Sequence, residues 1–410
     1  MTDSGWSRRD LLRSAGTGAL ALAAGAVVSD RMSQYVVGVR SDDGVSAAAS
    51  VSDTPSLRID LTEYTPWQLV GGTFSDARTD ALRSRDDVDF VQRDHWLETV
   101  SVSTADADPE RTVPWGVDRV GATRLHEIGK RAAGVDIGIV DTGITGAHPD
   151  LADNIAPPSS EGAHEAWVDC QGDECTHPWS DDAGHGTHVA GTAAATDGDS
   201  GTTGVAPDAT LHALKVCGGT GGCRTSAAAK AIEHAADNDW DVVNLSLGTP
   251  RRSPALQAAG EYALEAGVVP VAAAGNRGRS DSVGYPAAYD EFVGVSATTI
   301  DDELAGFSSR GDGVDIAAPG ADVCAPVPDG YESLSGTSMA APHVTGALAQ
   351  VIADGVEPAA AAGRLRETAE DIGLPATQQG AGLLDVAAAL GFEHDGGTGD
   401  GLSCPAPGAT

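Results

Sequence analysis

From Trp115 onward the chain alternates short apolar runs with alanine-rich segments, and no other feature narrows its fold as far. The runs "GVDIGIVDTG", "ATLHALKV", "WDVVNLSLG", "GVVPVAAAGN" and "FVGVSAT" read as buried strands. Between several of them lie helical stretches such as "RTSAAAKAIEHAADN" and "SPALQAAGEYALEAG". Strands alternating with helices imply an α/β fold of three layers, a mostly parallel central sheet with helices on both faces. In such sheets the ligand crevice opens beyond the carboxyl ends of the strands. The residues just after each apolar run are therefore the ones to inspect.

Three segments stand out there. "IGIVDTGITGAHPDL" puts Asp141 at a strand end, "DDAGHGTHVAGTAAA" sets His185 between glycines before a helix, and "LSGTSMAAPHV" carries Ser338 at a glycine-rich seam. Taken singly, each has an ordinary use: an Asp or Ser at such a place caps a helix, and a His near a helix start is structural. Together they are the three parts of a nucleophilic triad. Ser338 is inert until a base takes its proton, His185 is that base, and Asp141 holds its tautomer and stabilises the imidazolium. A metal pair of His185 and His188 is disfavoured, because H-E-x-x-H is absent.

The motifs "DTGI", "GHGTHVAGT" and "GTSMAAPHV", in the order Asp, His, Ser, resemble the subtilisin-like serine proteases (subtilases, peptidase family S8). An α/β-hydrolase would run Ser, acid, His instead. The resemblance spans about Trp115 to Gly391 and implies a serine endopeptidase that needs no cofactor for its chemistry. It implies that Asn276, in "VAAAGN", donates to the oxyanion beside the Ser338 amide. It also implies that Ser246, Leu247 and Gly248 pair with substrate backbone, with Ala273, Ala274 and Gly275 as the opposite pocket wall and Gly284 at its base. Small residues there predict a large apolar side chain before the scissile bond, and Arg277 on the rim disfavours Lys or Arg. The resemblance implies a structural calcium near Asp150, but Gly198 stands where an asparagine ligand is usual, so either Asp197 and Asp199 substitute or the site is lost. A catalytically silent relative, serving binding or inhibition, is the alternative reading.

The rest of the chain fits that frame. Residues 1–26, with Arg8-Arg9 before the apolar run Ala19 to Val28, resemble a twin-arginine signal peptide, so the protein is expected to be secreted. Residues 33–104 read as a small α+β unit resembling the inhibitor-type propeptide, an intramolecular partner to the catalytic domain at 105–391. The polar stretch from 103 to 112 is expected to be an exposed linker and the place of cutting. Residues 392–410 form a short glycine-rich tail, expected to be poorly ordered. Sixty acidic residues against 25 basic ones, a net charge of −35, exclude nucleic acid and anionic membrane as partners. That balance suits concentrated salt, where repulsion is screened, and suggests a salt-loving source; with it, the chain resembles the halolysin type of haloarchaeal subtilases. A monomer acting on proteins or peptides is expected. Cys170 with Cys175 and Cys217 with Cys223 are expected to close small disulfide loops, and Cys324 and Cys404 either pair or stay free.

Overall fold

The computed structural model describes residues 32–99, 102–107, 112–160, 162–172, 175–219, 222–399, 401 and 404. The signal-like segment 1–26 lies outside them.

The apolar runs form the inner strands of a seven-stranded parallel sheet. Asp136–Asp141 lies between Val242–Leu245 and Thr210–Lys215, and Val269–Ala273, Val293–Thr298 and Ile316–Pro319 extend the sheet on one side. The pleat sends neighbouring residues to opposite faces. Val242 and Val271 accordingly pack with Val344, Leu348 and Val351 of the helix Thr337–Ala353. Val243 and Ala272 pack with Ile232 and Leu256, from the helices Thr225–Asp237 and Pro254–Ala266. Apolar residues at successive positions are thus required, because both faces are covered.

A separate four-stranded antiparallel sheet covers Thr54–Asp60, Gln68–Phe74, Ser33–Val39 and Val88–Arg93 in that spatial order. Tyr35, Val37 and Val39 face the unit's own helices, Asp42–Val51 and Asp76–Arg83. Val36, Ile59, Leu61 and Leu69 instead join the core around Ile232 and Leu256. The sheet therefore docks on the helices Thr225–Asp237 and Pro254–Ala266. Its last residues cap them: Asp94 accepts from Thr225 Oγ1 (2.9 Å) and from Ser226 N (3.1 Å) and Oγ (2.6 Å), while Gln92 Oε1 accepts from Ala255 N (3.1 Å). Orphan amide hydrogens at helix starts explain both contacts.

Two expectations are corrected. The stretch read as an exposed linker contains a strand, Val102–Ala107, paired antiparallel with Gly330–Ser335. That edge has open backbone groups, and pairing satisfies them. The described residues of the tail are tied down as well. Gly399 N donates to Asp118 Oδ2 (2.8 Å), and Cys404 is bonded to Cys324. The two short disulfide loops, Cys170–Cys175 and Cys217–Cys223, are present as expected.

Candidate active site

The three strands that matter end on one side of the sheet. Asp141 is the last residue of the strand Asp136–Asp141 and has no solvent exposure. Thr142 N donates to its Oδ1 at 2.7 Å, and His185 Nδ1 lies 2.7 Å from the same oxygen. His185 opens the helix His185–Ala194. The next residue has to be glycine, because a Cβ at Gly186 would lie 2.1 Å from the Gly143 carbonyl. Asp181 organises the turn before it. Its Oδ1 accepts from Thr142 Oγ1 and from the amides of Ala183 and Gly184, and its Oδ2 from Thr187 N and Oγ1. Burial would push the His185 imidazole down, but the adjoining Asp141 charge and hydrogen bond outweigh it, and the group sits above its ordinary value. His185 Nε2 is buried and has no partner among the described residues.

Ser338 is the second residue of the helix Thr337–Ala353 and is 2% exposed. Its hydroxyl donates to the Ser246 carbonyl at 3.0 Å and makes no hydrogen bond to His185 Nε2. Ser246 answers with a bond of its own. Pro342 lies inside the helix, beyond its first turn, and has no N–H to give the Ser338 carbonyl. The Ser246 hydroxyl supplies that bond at 2.7 Å. One serine pair thus locks the strand end at 245 to the helix start.

Asn276 follows the strand Val269–Ala273. Its Oδ1 accepts from Thr337 N (2.9 Å) and Thr337 Oγ1 (2.8 Å). Two donors on one amide atom assign it as oxygen, so the Nδ2 hydrogens point the other way. Asn276 and Ser338 line one cavity of about 120 Å³ with Ser246, Leu247, Gly248, Ala273, Gly275 and Gly284. Ala274 does not reach it. It is fully buried, and its carbonyl accepts from Gly284 N (2.9 Å), tying the wall to the base.

Three of the expected residues are not brought together as a calcium site. Asp150 Oδ2 accepts from Thr202 N (2.8 Å) and Oγ1 (3.1 Å), and its Oδ1 from Tyr331 Oη (3.0 Å). Asp197 is paired with Arg131 at 2.6 Å, and Asp199 is exposed. Among the described residues no cluster of three His, Cys, Asp or Glu could hold a metal. A hard cation needs six to eight converging oxygens, and here protein donors already hold both oxygens of Asp150. These side chains do not fit calcium. His188 is likewise structural: its Nε2 faces the carbonyls of Val323 (3.0 Å) and Glu332 (3.1 Å), and burial pushes it down to about 3.

The first α+β unit also enters this crevice. Trp96–Leu97 pairs antiparallel with Cys223–Arg224. Glu98 then exchanges two bonds with Gly248, N to O at 3.0 Å and O from N at 3.3 Å, and it borders the cavity beside Ser338.

Residues 132–383 match the family model described as "Subtilase family". The chain is a subtilase. It is 34% identical over 366 residues to Subtilisin E of Bacillus subtilis (strain 168), covering 87% of this chain and 90% of that protein. Subtilisin DY of Bacillus licheniformis is 40% identical over 285 residues, covering 68% of this chain and 99% of that one. An alkaline protease of Alkalihalobacillus alcalophilus is 38% identical over 324 residues, 78% of each chain. This subtilase is accordingly a serine-type endopeptidase, and the chemistry of its family requires no cofactor. No helix among the described residues is long and apolar enough to cross a membrane.

Sequence reading missed Thr337, Asp181 and Lys215. The aspartate four residues before His185 was visible as a turn former. Thr337 and Lys215 carried no local signal, since each acts on a residue far away in the chain.

Proposed function

We propose that this subtilase hydrolyses peptide bonds through Asp141, His185 and Ser338, with Asn276 and the Ser338 amide as oxyanion donors. Two observations support the reading: the buried Asp141–His185 pair at 2.7 Å with an unpartnered Nε2, and a cavity that Ser338 and Asn276 line together. For attack, the Ser338 hydroxyl leaves Ser246 and turns to Nε2. Its proton passes to His185 as Oγ bonds the carbonyl carbon. Asp141 stabilises the imidazolium, and the oxyanion is met by Asn276 Nδ2 and the orphan amide at the helix start. His185 then protonates the leaving amine, and water repeats the sequence on the acyl-enzyme.

The first substrate is proposed to be the chain itself, with residues 33–104 as inhibitor. Glu98 pairs antiparallel with Gly248, two residues from Ser246, whose carbonyl receives the Ser338 hydroxyl. That pairing supports a cut after Val100, upstream of the stretch first read as the cleavage linker. The pocket's small residues favour a large apolar side chain before the bond, and Arg277 on its lining disfavours Lys or Arg. Export through the twin-arginine route, a haloarchaeal source of halolysin type, and a monomeric state belong to the same proposal, on the sequence features given above.

The test is expression of wild type and Ser338→Ala in high salt, with N-terminal sequencing. Wild type should yield a product beginning at Ser101 and digest casein, and the variant should do neither. Equal processing and digestion by both would refute the mechanism.

A further inference from the structure

Trp96 is the one large aromatic residue of the docked segment and is 55% exposed, yet its ring touches two residues of the strand edge it pairs with. The guanidinium carbon of Arg224 stands 4.2 Å from the ring centroid. Against the ring also lies Gly222, where a Cβ would come within 2.7 Å of an indole carbon. Trp96 and Arg224 are register partners in the antiparallel pair. The disulfide Cys217–Cys223 closes the hairpin behind them, with Gly218 N donating to Gly222 O at 3.4 Å. The edge is thus braced, bare of a side chain at 222 and cationic at 224.

We propose that Gly222 and Arg224 form an aromatic-binding subsite for substrate, two residues upstream of the residue that pairs with Gly248. The inference rests on the protease reading, in that the docked segment lies in the cleft as a substrate would. Once that segment departs, Asp94 leaves Arg224 (4.0 Å) and Trp96 leaves the shelf, so the same surface meets an incoming extended peptide. Its ligand class is a peptide carrying Trp, Tyr or Phe at that position, recognised by a cation over the ring and by bare backbone that leaves the ring room.

The test compares two p-nitroanilide peptides on the processed enzyme. One copies residues 96–100, and the other has alanine in place of the tryptophan. Wild type should cleave the tryptophan peptide with a kcat/KM about two- to five-fold higher, the range of an exposed cation–π contact. Arg224→Ala and Gly222→Ala should each bring that ratio close to one, while Arg224→Lys keeps part of it. A wild-type ratio near one, or a ratio untouched by both alanine variants, overturns the subsite. Should no hydrolysis occur, calorimetric binding of the two peptides decides. Absence of turnover then refutes the protease reading, whereas equal affinity for both peptides refutes the subsite.

Discussion

Thr337→Val is the sharpest probe of the oxyanion site, because it touches no reacting atom and leaves the side-chain shape unchanged. Thr337 Oγ1 donates to Asn276 Oδ1 at 2.8 Å and accepts from Gly275 N at 3.0 Å. Valine removes both bonds, while Thr337 N still holds Asn276 Oδ1 at 2.9 Å. The Asn276 oxygen keeps one of its two bonds from Thr337, and its orientation is held less firmly. Complete loss of a side-chain oxyanion donor costs about 2.7–4 kcal/mol, a figure measured in a subtilisin. Loss of one restraint should cost a fraction of that, about 1.4 kcal/mol, or tenfold in kcat with KM unchanged. Stability should fall separately by about 1–3 kcal/mol, since the Gly275 amide is left without its acceptor. Kinetics on a peptide anilide, with active sites titrated by a serine-directed inhibitor, read the first quantity, and urea unfolding reads the second. A double-mutant cycle settles the route: in an Asn276→Leu background, Thr337→Val should no longer lower kcat. If it lowers kcat as much there as in wild type, or if kcat in wild type changes less than about twofold, the orienting role is refuted.

Other consequences follow from the same geometry. His185 must be neutral to accept the Ser338 proton, and Asp141 keeps it protonated to higher pH than an ordinary imidazole. The acid limb of kcat/KM should therefore have its midpoint above about pH 6.5, and a midpoint below that would contradict the pairing. Lys215 is fully buried and meets Asp182 Oδ1 at 2.6 Å and the Thr142 carbonyl. Lys215→Met strands a carboxylate next to the Asp141 strand end and should cost about 3–5 kcal/mol in denaturant unfolding; a loss below about 1 would show the pair to be unimportant. With Asp197 held by Arg131 and Asp150 by Thr202 and Tyr331, a chelator should leave the Tm of the processed enzyme where it was, whereas Arg131→Leu should lower it. A Tm that drops on chelation and returns with calcium would overturn that reading of the loop.

Much of this was legible in the chain. The apolar runs at 137–140, 242–245 and 269–273 specify strands buried on both faces, and period and length suffice for that. Asp141, His185 and Ser338 could be named because each sits at a strand or loop end with its own local pattern. Cysteine spacing likewise gave the loops 170–175 and 217–223. The third bond, 324–404, spans 80 residues, and no spacing rule reaches that far.

Tertiary structure alone decided what lies between distant segments. The orientation of Asn276 depends on Thr337, 61 residues on, and the carbonyl that Pro342 leaves unpaired is met by Ser246, 92 residues away. Asp150, Asp197 and Asp199 do not converge for the same reason: the partners of the first two, Arg131, Thr202 and Tyr331, are set by how distant segments pack. A sequence pattern encodes the local conformation of a segment through its own side chains. A hydrogen bond across the fold depends on how those segments pack, and that is set by the core as a whole.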